Sequence, residues 1–371
     1  MKVLMLSKAM VVGTYQRKAE LLARAADVEL VVVVPPSWRE PGVGKIPLER
    51  MHTHGYRLIS RPIALNGHFH LYFWRGLGDL LRRERPDILH IDEESFNVST
   101  FQAMRLGVRL GARCLFFNWA NIYRPLPPPF SWIERYNLAL AAYAVAGNHE
   151  AADILRRKGY RGPLRVIPQF GVDEEAFRPG QPSRHRGPGE RGEGLTVGYA
   201  GRLLPQKGLL DLLEAVAGLP QARLLLIGRG NLEGTLRARA AQDDLRGRVE
   251  FLGQVPSREL PDLYRQLDVL VLPSRTMPNW KEQFGRVLIE AMACGVAVVG
   301  SDSGEIPSVI GDAGLIFPEG DSAALRRQLL RLQSDPDLRA ELGRRGREKV
   351  LAHYTQEHIA RQYLEVYREM S

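Results

Sequence analysis

Apolar and polar positions along this chain come in blocks. Short aliphatic runs bounded by Gly, Pro or charge alternate with longer stretches in which apolar residues recur every three to four positions. The runs at 2–6, 28–34, 87–91, 113–117, 144–147 and 164–168 predict strands buried on both faces. The stretches 16–26, 77–84, 96–110, 132–142 and 150–158 predict helices between them. The alternation then restarts, with strands at 195–200, 222–227, 249–252, 267–273, 296–300 and 314–317. Helices are expected at 209–217, 232–241, 259–266, 284–294, 306–310, 321–333, 335–352 and 358–370. Strand followed by helix, repeated, builds a parallel sheet with crossover helices. Two such series predict an α/β protein of two Rossmann-like domains.

The break between the series carries Pro179, Pro182 and Pro188 with glycines at 180, 187, 189, 192 and 194. Such a stretch has nothing to bury and reads as a linker. The expected organisation is therefore a first domain at 1–178, a linker at 179–194 and a second domain at 195–353. A terminal helical segment occupies 354–371.

One block organises the second series: Glu282-Gln-Phe-Gly-Arg-Val-Leu-Ile-Glu-Ala-Met-Ala-Cys-Gly295. Phe284, Val287, Leu288, Ala291 and Met292 have helical spacing, and Gly295 suits the helix end. The helix start at Gly285 and Arg286 is an anion-favouring position. Glu282 and Glu290 bracket it, on the order of 10 Å apart if the intervening residues are helical. Upstream, Gly201-Arg-Leu-Leu-Pro-Gln-Lys-Gly208 also lies between a strand and a helix. Arg202 offers a fork and Lys207 a point charge to a diphosphate, although two cations in a loop are also ordinary solvated surface. This string is not a P-loop, and Ile227-Gly-Arg-Gly230 is off register for a dinucleotide fingerprint.

Glu-x-Phe-Gly-x-x-x-x-Glu-Ala-x-Ala-x-Gly at 282–295 and Gly-Arg-Leu-x-x-x-Lys-Gly at 201–208 resemble the signatures of the retaining glycosyltransferases of family 4, the glycosyl transferases group 1. The resemblance implies the GT-B architecture, two Rossmann-like domains facing each other across a cleft. The first domain would bind the acceptor, and the last helix would cross back to it. It implies transfer of a sugar from a UDP- or GDP-sugar to a hydroxyl acceptor. Arg202, Lys207, Gly285, Arg286 and Gly13 would hold the donor diphosphate, Glu290 the ribose, and Glu282 the sugar. Gly228, Gln254 and Val255 would wall the base pocket, although either segment is equally compatible with a tight turn. The donor is a co-substrate, and neither a cofactor nor a metal is expected.

Two positions depart from the family pattern. Only Gly13 stands where paired glycines are usual, which puts the donor pose there in doubt. Asn118 stands where a His is usual; it can hydrogen-bond to the transferred sugar but cannot shuttle a proton near neutral pH. Glu93 and Glu94, after the third strand, are acceptor-binding candidates or simply an exposed cluster capping the next helix. Asp335-Pro-Asp337 reads as a helix N-cap rather than a metal motif. An epimerase, a phosphorylase or a non-catalytic nucleotide-sugar-binding subunit remains an alternative.

Composition adds little to this except its charge distribution. The 371 residues suffice for two cores. Residues 1–180 hold 25 Lys+Arg against 17 Asp+Glu, a balance of +8 out of the net +9. No nucleic-acid-binding signature accompanies these cations. An anionic membrane surface or a phosphate-bearing acceptor fits them better, within the wider expectation of a saccharide, lipid-linked or small-molecule acceptor. Two cysteines in apolar settings, Cys114 and Cys294, suit a cytoplasmic protein, with a peripheral position on the inner face of the membrane.

Overall fold

The computed structural model describes residues 1–40, 44–180 and 194–371. Most of the expected linker, 181–193, lies outside these residues. The chain divides into two compact units, Met1–Gly171 with Gln356–Ser371, and Val172–Thr355. The first unit therefore ends at 171 rather than 178. Val172 donates its amide to the Tyr354 carbonyl at 2.8 Å and bridges Thr355, while Phe177 packs against Tyr264, so 172–178 belong with the second unit.

Unit 1 is built on a seven-stranded parallel sheet. Its order is Leu164–Val166, Tyr143–Ala146, Arg113–Asn118, Ile88–Ile91, Lys2–Leu6, Glu29–Val34 and Arg57–Ser60. The first strand thus lies mid-sheet, and the strand order reverses between Lys2–Leu6 and Ile88–Ile91. At such a switch point the connecting loops leave in opposite directions and open a crevice at the carboxyl ends of the strands. The aliphatic runs put Val3, Met5 and Val32 on one face and Leu4, Leu6 and Val33 on the other, and both faces are covered. The helix Gln356–Glu369 completes one of these layers with Ile359, Tyr363, Val366 and Tyr367, packing on the helix Arg17–Leu22.

Residues 37–76 hold elements that the blockwise reading does not reach. Arg57–Ser60 is an edge strand of only four residues, none of them buried. Ser37–Glu40 pairs antiparallel with Gly44–Pro47, and Ile63–Ala64 with Phe73–Trp74. Two short 3-10 turns, Ala9–Val11 and Gly13–Gln16, fill the loop before a helix that starts only at Arg17.

Unit 2 repeats the plan with a six-stranded parallel sheet. The order is Val249–Gly253, Arg223–Ile227, Thr196–Ala200, Val269–Leu272, Ala297–Ser301 and Leu315–Phe317. Its switch point lies between Thr196–Ala200 and Val269–Leu272. Those two strands continue into the two sequence blocks singled out above. The helix Pro336–His353 is capped by Asp335, whose carboxylate accepts from the Leu338 amide at 2.8 Å. No helix among the described residues is long and apolar enough to cross a membrane.

Candidate functional site

The loop after Thr196–Ala200 folds into a 3-10 turn, Pro205–Lys207, before the helix Leu209–Ala217. Gly208 joins turn to helix with φ +64°, and a Cβ there would run into the Pro273 carbonyl oxygen. That close approach seats this loop directly on the one that follows Val269–Leu272. The Arg275 amide donates to the Gln206 carbonyl at 2.8 Å, and the Arg275 guanidinium grips Asp211, with Nε at 2.6 Å. The two loops at the switch point are therefore a single tied assembly.

This assembly pairs Lys207 with Glu282. The ammonium lies 2.5 Å from Glu282 Oε2, which also accepts from the Ser274 hydroxyl at 2.8 Å. Lys207 Nζ sits 4.5 Å from the centroid of the Trp280 ring, a cation–π distance. Glu282 is 8% exposed. Its backbone carbonyl accepts from the Glu305 amide at 3.2 Å, so the loop after Ala297–Ser301 also fixes its position.

Gly285, with φ +79°, turns the chain into the helix Arg286–Ala293. Glu282 therefore stands in the loop, and the separation expected for eight helical residues does not apply. Inside the helix, Arg286 Nε donates to Glu290 Oε1 at 2.7 Å, one turn on. Tyr264 donates its hydroxyl to Glu290 Oε2 at 2.8 Å. Burial and the adjacent Glu290 hold the Tyr264 phenol well above its ordinary pKa, so it stays a donor. Glu290 is 3% exposed, its two oxygens thus oriented by two donors. Arg202 is exposed, with its carbonyl accepting from the Tyr199 hydroxyl at 2.9 Å.

The expected base-pocket residues follow the neighbouring strands. Gly228 donates its amide to the Gly253 carbonyl at 2.7 Å, and the Gly201 amide donates to Ile227 at 2.9 Å. Gln254 is exposed and Val255 half-buried, immediately beyond Gly253. The structure thus brings Arg202, Lys207, Gly228, Gln254, Val255, Glu282, Gly285, Arg286 and Glu290 to the carboxyl-end edge of one sheet. Ser274, Arg275, Trp280 and Tyr264 join them without having been picked out by sequence. No motif spacing marks them; only Ser274 and Arg275, directly after a buried strand, carried a positional signal.

Gly13, Asn118, Glu93 and Glu94 belong to unit 1. The Gly13 amide is already committed, donating to Glu49 Oε2 at 2.6 Å, so a phosphate there would have to displace a carboxylate of the chain itself. Asn118 turns its side-chain oxygen inward, accepting from the Ser95 amide and hydroxyl at 3.4 and 3.3 Å. The same hydroxyl lies 3.2 Å from Glu134, which is ion-paired with Lys158 at 2.8 Å. In this arrangement Asn118 braces the end of its strand. Glu94 Oε1 accepts from the Trp119 amide at 3.0 Å, and burial pushes its carboxyl up to about 7. Glu93 is ion-paired with Lys8 at 2.5 Å. The acidic cluster is accordingly built into the sheet edge, not an exposed helix cap.

Comparison with known proteins agrees with this layout. The family model described as "Glycosyltransferase Family 4" matches residues 14–175, and "Glycosyl transferases group 1" matches residues 181–349. A phosphatidyl-myo-inositol mannosyltransferase of Mycolicibacterium smegmatis is 38% identical over 186 residues, 48% of this chain and 46% of the relative. A GDP-mannose-dependent monoacylated alpha-(1-6)-phosphatidylinositol monomannoside mannosyltransferase of Corynebacterium glutamicum is 33% identical over 199 residues, covering 50% of this chain and 51% of the relative. The matches thus span about half the length of these curated relatives. Among solved structures, a sucrose-phosphate synthase from Thermosynechococcus elongatus has a TM-score of 0.75 at 23% identity, over 100% of this chain and 99% of the other. The Anabaena protein HepE in complex with UDP also gives 0.75, at 18% identity and 100% of both chains. These likenesses show the fold.

Proposed function

The chain belongs to the family 4, group 1 glycosyltransferases, and on that premise we propose that it transfers a sugar from a UDP- or GDP-sugar to a hydroxyl acceptor, with retention at the anomeric carbon. The observation that carries the proposal is the pair of ion pairs astride the unit 2 switch point, Lys207–Glu282 and Arg286–Glu290. Each holds a buried carboxylate whose geometry is set before any ligand arrives, and preorganisation of this kind is what makes charge stabilisation effective.

In this scheme Glu290 accepts hydrogen bonds from the ribose hydroxyls and Glu282 from the sugar. Arg202, Lys207, Arg286 and the positive end of the Arg286–Ala293 helix neutralise the diphosphate as it leaves. The bond from anomeric carbon to β-phosphate oxygen breaks, and a bond to the acceptor oxygen forms on the same face. The acceptor's proton passes to the departing diphosphate. Charge neutralisation is assigned wholly to side chains and backbone, with no divalent metal. A place in glycolipid or cell-surface polysaccharide synthesis is supported by the relatives' lipid-linked acceptors.

Release of nucleoside diphosphate from a panel of UDP- and GDP-sugars, with methyl glycosides and myo-inositol as acceptors, tests the reading. Release is expected with one nucleotide class, unchanged by EDTA and reduced about 100-fold or more in Lys207→Met, which strands a buried carboxylate. Release that needs a divalent ion would remove the metal-independent scheme. Turnover that survives Lys207→Met would remove the assignment of the diphosphate site.

A further inference from the structure

Unit 2 pairs the arginines on its helix surfaces with carboxylates. Arg237 meets Glu233 at 2.8 Å, Arg239 meets Glu214 at 2.6 Å, and Arg344 meets Glu341 at 2.7 Å. The helix Ser322–Ser334 breaks that habit, with Arg326, Arg327 and Arg331 and no acidic residue. All three arginines are exposed. Arg327 comes no nearer than 4.0 Å to Asp321, whose carboxylate is already used as the helix cap, accepting from the Ala324 amide at 2.8 Å. Among the described residues, Arg326 and Arg331 have no carboxylate within ion-pair distance.

The same helix leaves one large apolar side chain in water. Leu330 is 52% exposed and stands one turn beyond Arg326 and Arg327, on their face. Opposite it runs the turn 218–221, between the helix Leu209–Ala217 and the strand Arg223–Ile227. Helix and turn enclose a groove of about 460 Å³, lined by Leu219, Pro220 and Leu330 with Arg326 and Arg327 beside them. Its walls are preset. Gln333 Nε2 donates to Gln221 Oε1 at 3.2 Å and ties helix to turn. Arg248 Nη1 donates to the Leu219 and Ala222 carbonyls at 2.8 and 2.9 Å, so another arginine serves these carbonyls of the turn. Arg326 lies against the Gly218 backbone, where a Cβ would run into its Cδ. The turn precedes its strand, which puts the groove at the amino-end edge of the sheet, whereas the switch-point loops leave the carboxyl ends.

We propose that this groove docks an acidic segment of another protein, one that seats a large apolar side chain between carboxylates. The carboxylates take the guanidinium forks, and the apolar side chain covers Leu330, Leu219 and Pro220 as an anchor. Both halves are needed. A free phosphate would pair with the arginines and leave the leucines wet. An anionic lipid surface draws on the charge of a whole unit, and Val172–Thr355 holds 25 Lys+Arg against 25 Asp+Glu. Docking here leaves the loops assigned to the nucleotide uncovered, so it is independent of the proposed transfer.

Fluorescence anisotropy on the full chain tests it, with a short fluorescein-labelled peptide carrying one phenylalanine flanked on both sides by glutamates. The peptide is expected to bind, and to bind about tenfold or more weakly when serine replaces the phenylalanine or glutamine the glutamates. A similar loss is expected in Leu330→Ser and in the double variant Arg326→Gln/Arg327→Gln. These are surface changes, and their melting curves verify folding. Nucleotide binding, measured in the same samples, should be the same as in the wild type. No binding to the wild type, equal binding of the serine peptide, or an affinity that neither variant lowers would overturn the proposal. Retention on anionic vesicles that the arginine variant loses, without peptide binding, would make the groove a lipid site and overturn it too.

Discussion

Glu282 and Glu290 are of one residue type eight positions apart, yet they face different partners. Glu282 is bound by a lysine and a serine hydroxyl, Glu290 by an arginine and a tyrosine hydroxyl. Both residues, with Arg202 and Lys207, stand out in the sequence as candidates because their strings are dense in motif positions. Their hydroxyl donors did not stand out, since Ser274 and Tyr264 reach them only through the fold. Glu94 shows the same limit in unit 1: its raised carboxyl follows from burial, which sequence does not reveal. Its folded pKa of about 7 exceeds the ordinary 4.5, so the folded state holds more protons than the unfolded state between those values. Stability from this group is therefore present below about pH 4.5 and is lost as pH rises to about 7. Buried His90, lowered from 6.5 to about 3, acts the other way, adding stability as pH rises between those values. The prediction is accordingly a difference: melting temperature of Glu94→Gln minus wild type should rise from pH 4.5 to 7 and then level off. A flat difference would show that the carboxyl titrates normally.

At the scale of elements, the long buried strands and the helices with regular apolar spacing were legible, because a parallel sheet leaves its strands apolar throughout. The segment 37–76 was not. Its strands are two to four residues long and half-exposed, so neither periodicity nor propensity rises above the loops around them. That region nonetheless supplies the rings of Trp38, Phe69 and Tyr72 that surround the Lys8 ammonium. The joint between the two switch-point loops of unit 2 is a backbone matter of the same kind. Gly208 has φ +64° and touches the Pro273 carbonyl, so Gly208→Ala must either strain its backbone or separate the loops. A loss of about 2–4 kcal/mol is expected in chemical denaturation, together with weaker nucleotide binding. Wild-type stability in this variant would mean that the loops are not held by that contact.

At the scale of the whole molecule, charge is the least evenly shared property. Unit 1 carries the whole of the excess, and it also exposes Leu65 at 51%, Leu71 at 43% and Trp132 at 59%. Exposed apolar side chains on a unit of net positive charge suit an anionic lipid surface. Co-sedimentation with vesicles should be greater for anionic than for neutral lipid and should fall as salt rises. Equal recovery on both would remove the membrane from the account. The two-unit plan itself was legible, including the return of the last helix to the first unit's core.

The central claim is that the unit 2 switch point holds a nucleotide-sugar through Glu290. Thermal melts of wild type and Glu290→Gln with UDP-, GDP- and ADP-sugars test it most directly. Ligand at 100 times its Kd adds about 2.7 kcal/mol to the folded state. The account predicts a raised melting temperature with UDP- or GDP-sugars in the wild type and little or none in the variant. No shift with any nucleotide, or a shift that Glu290→Gln leaves intact, would contradict it.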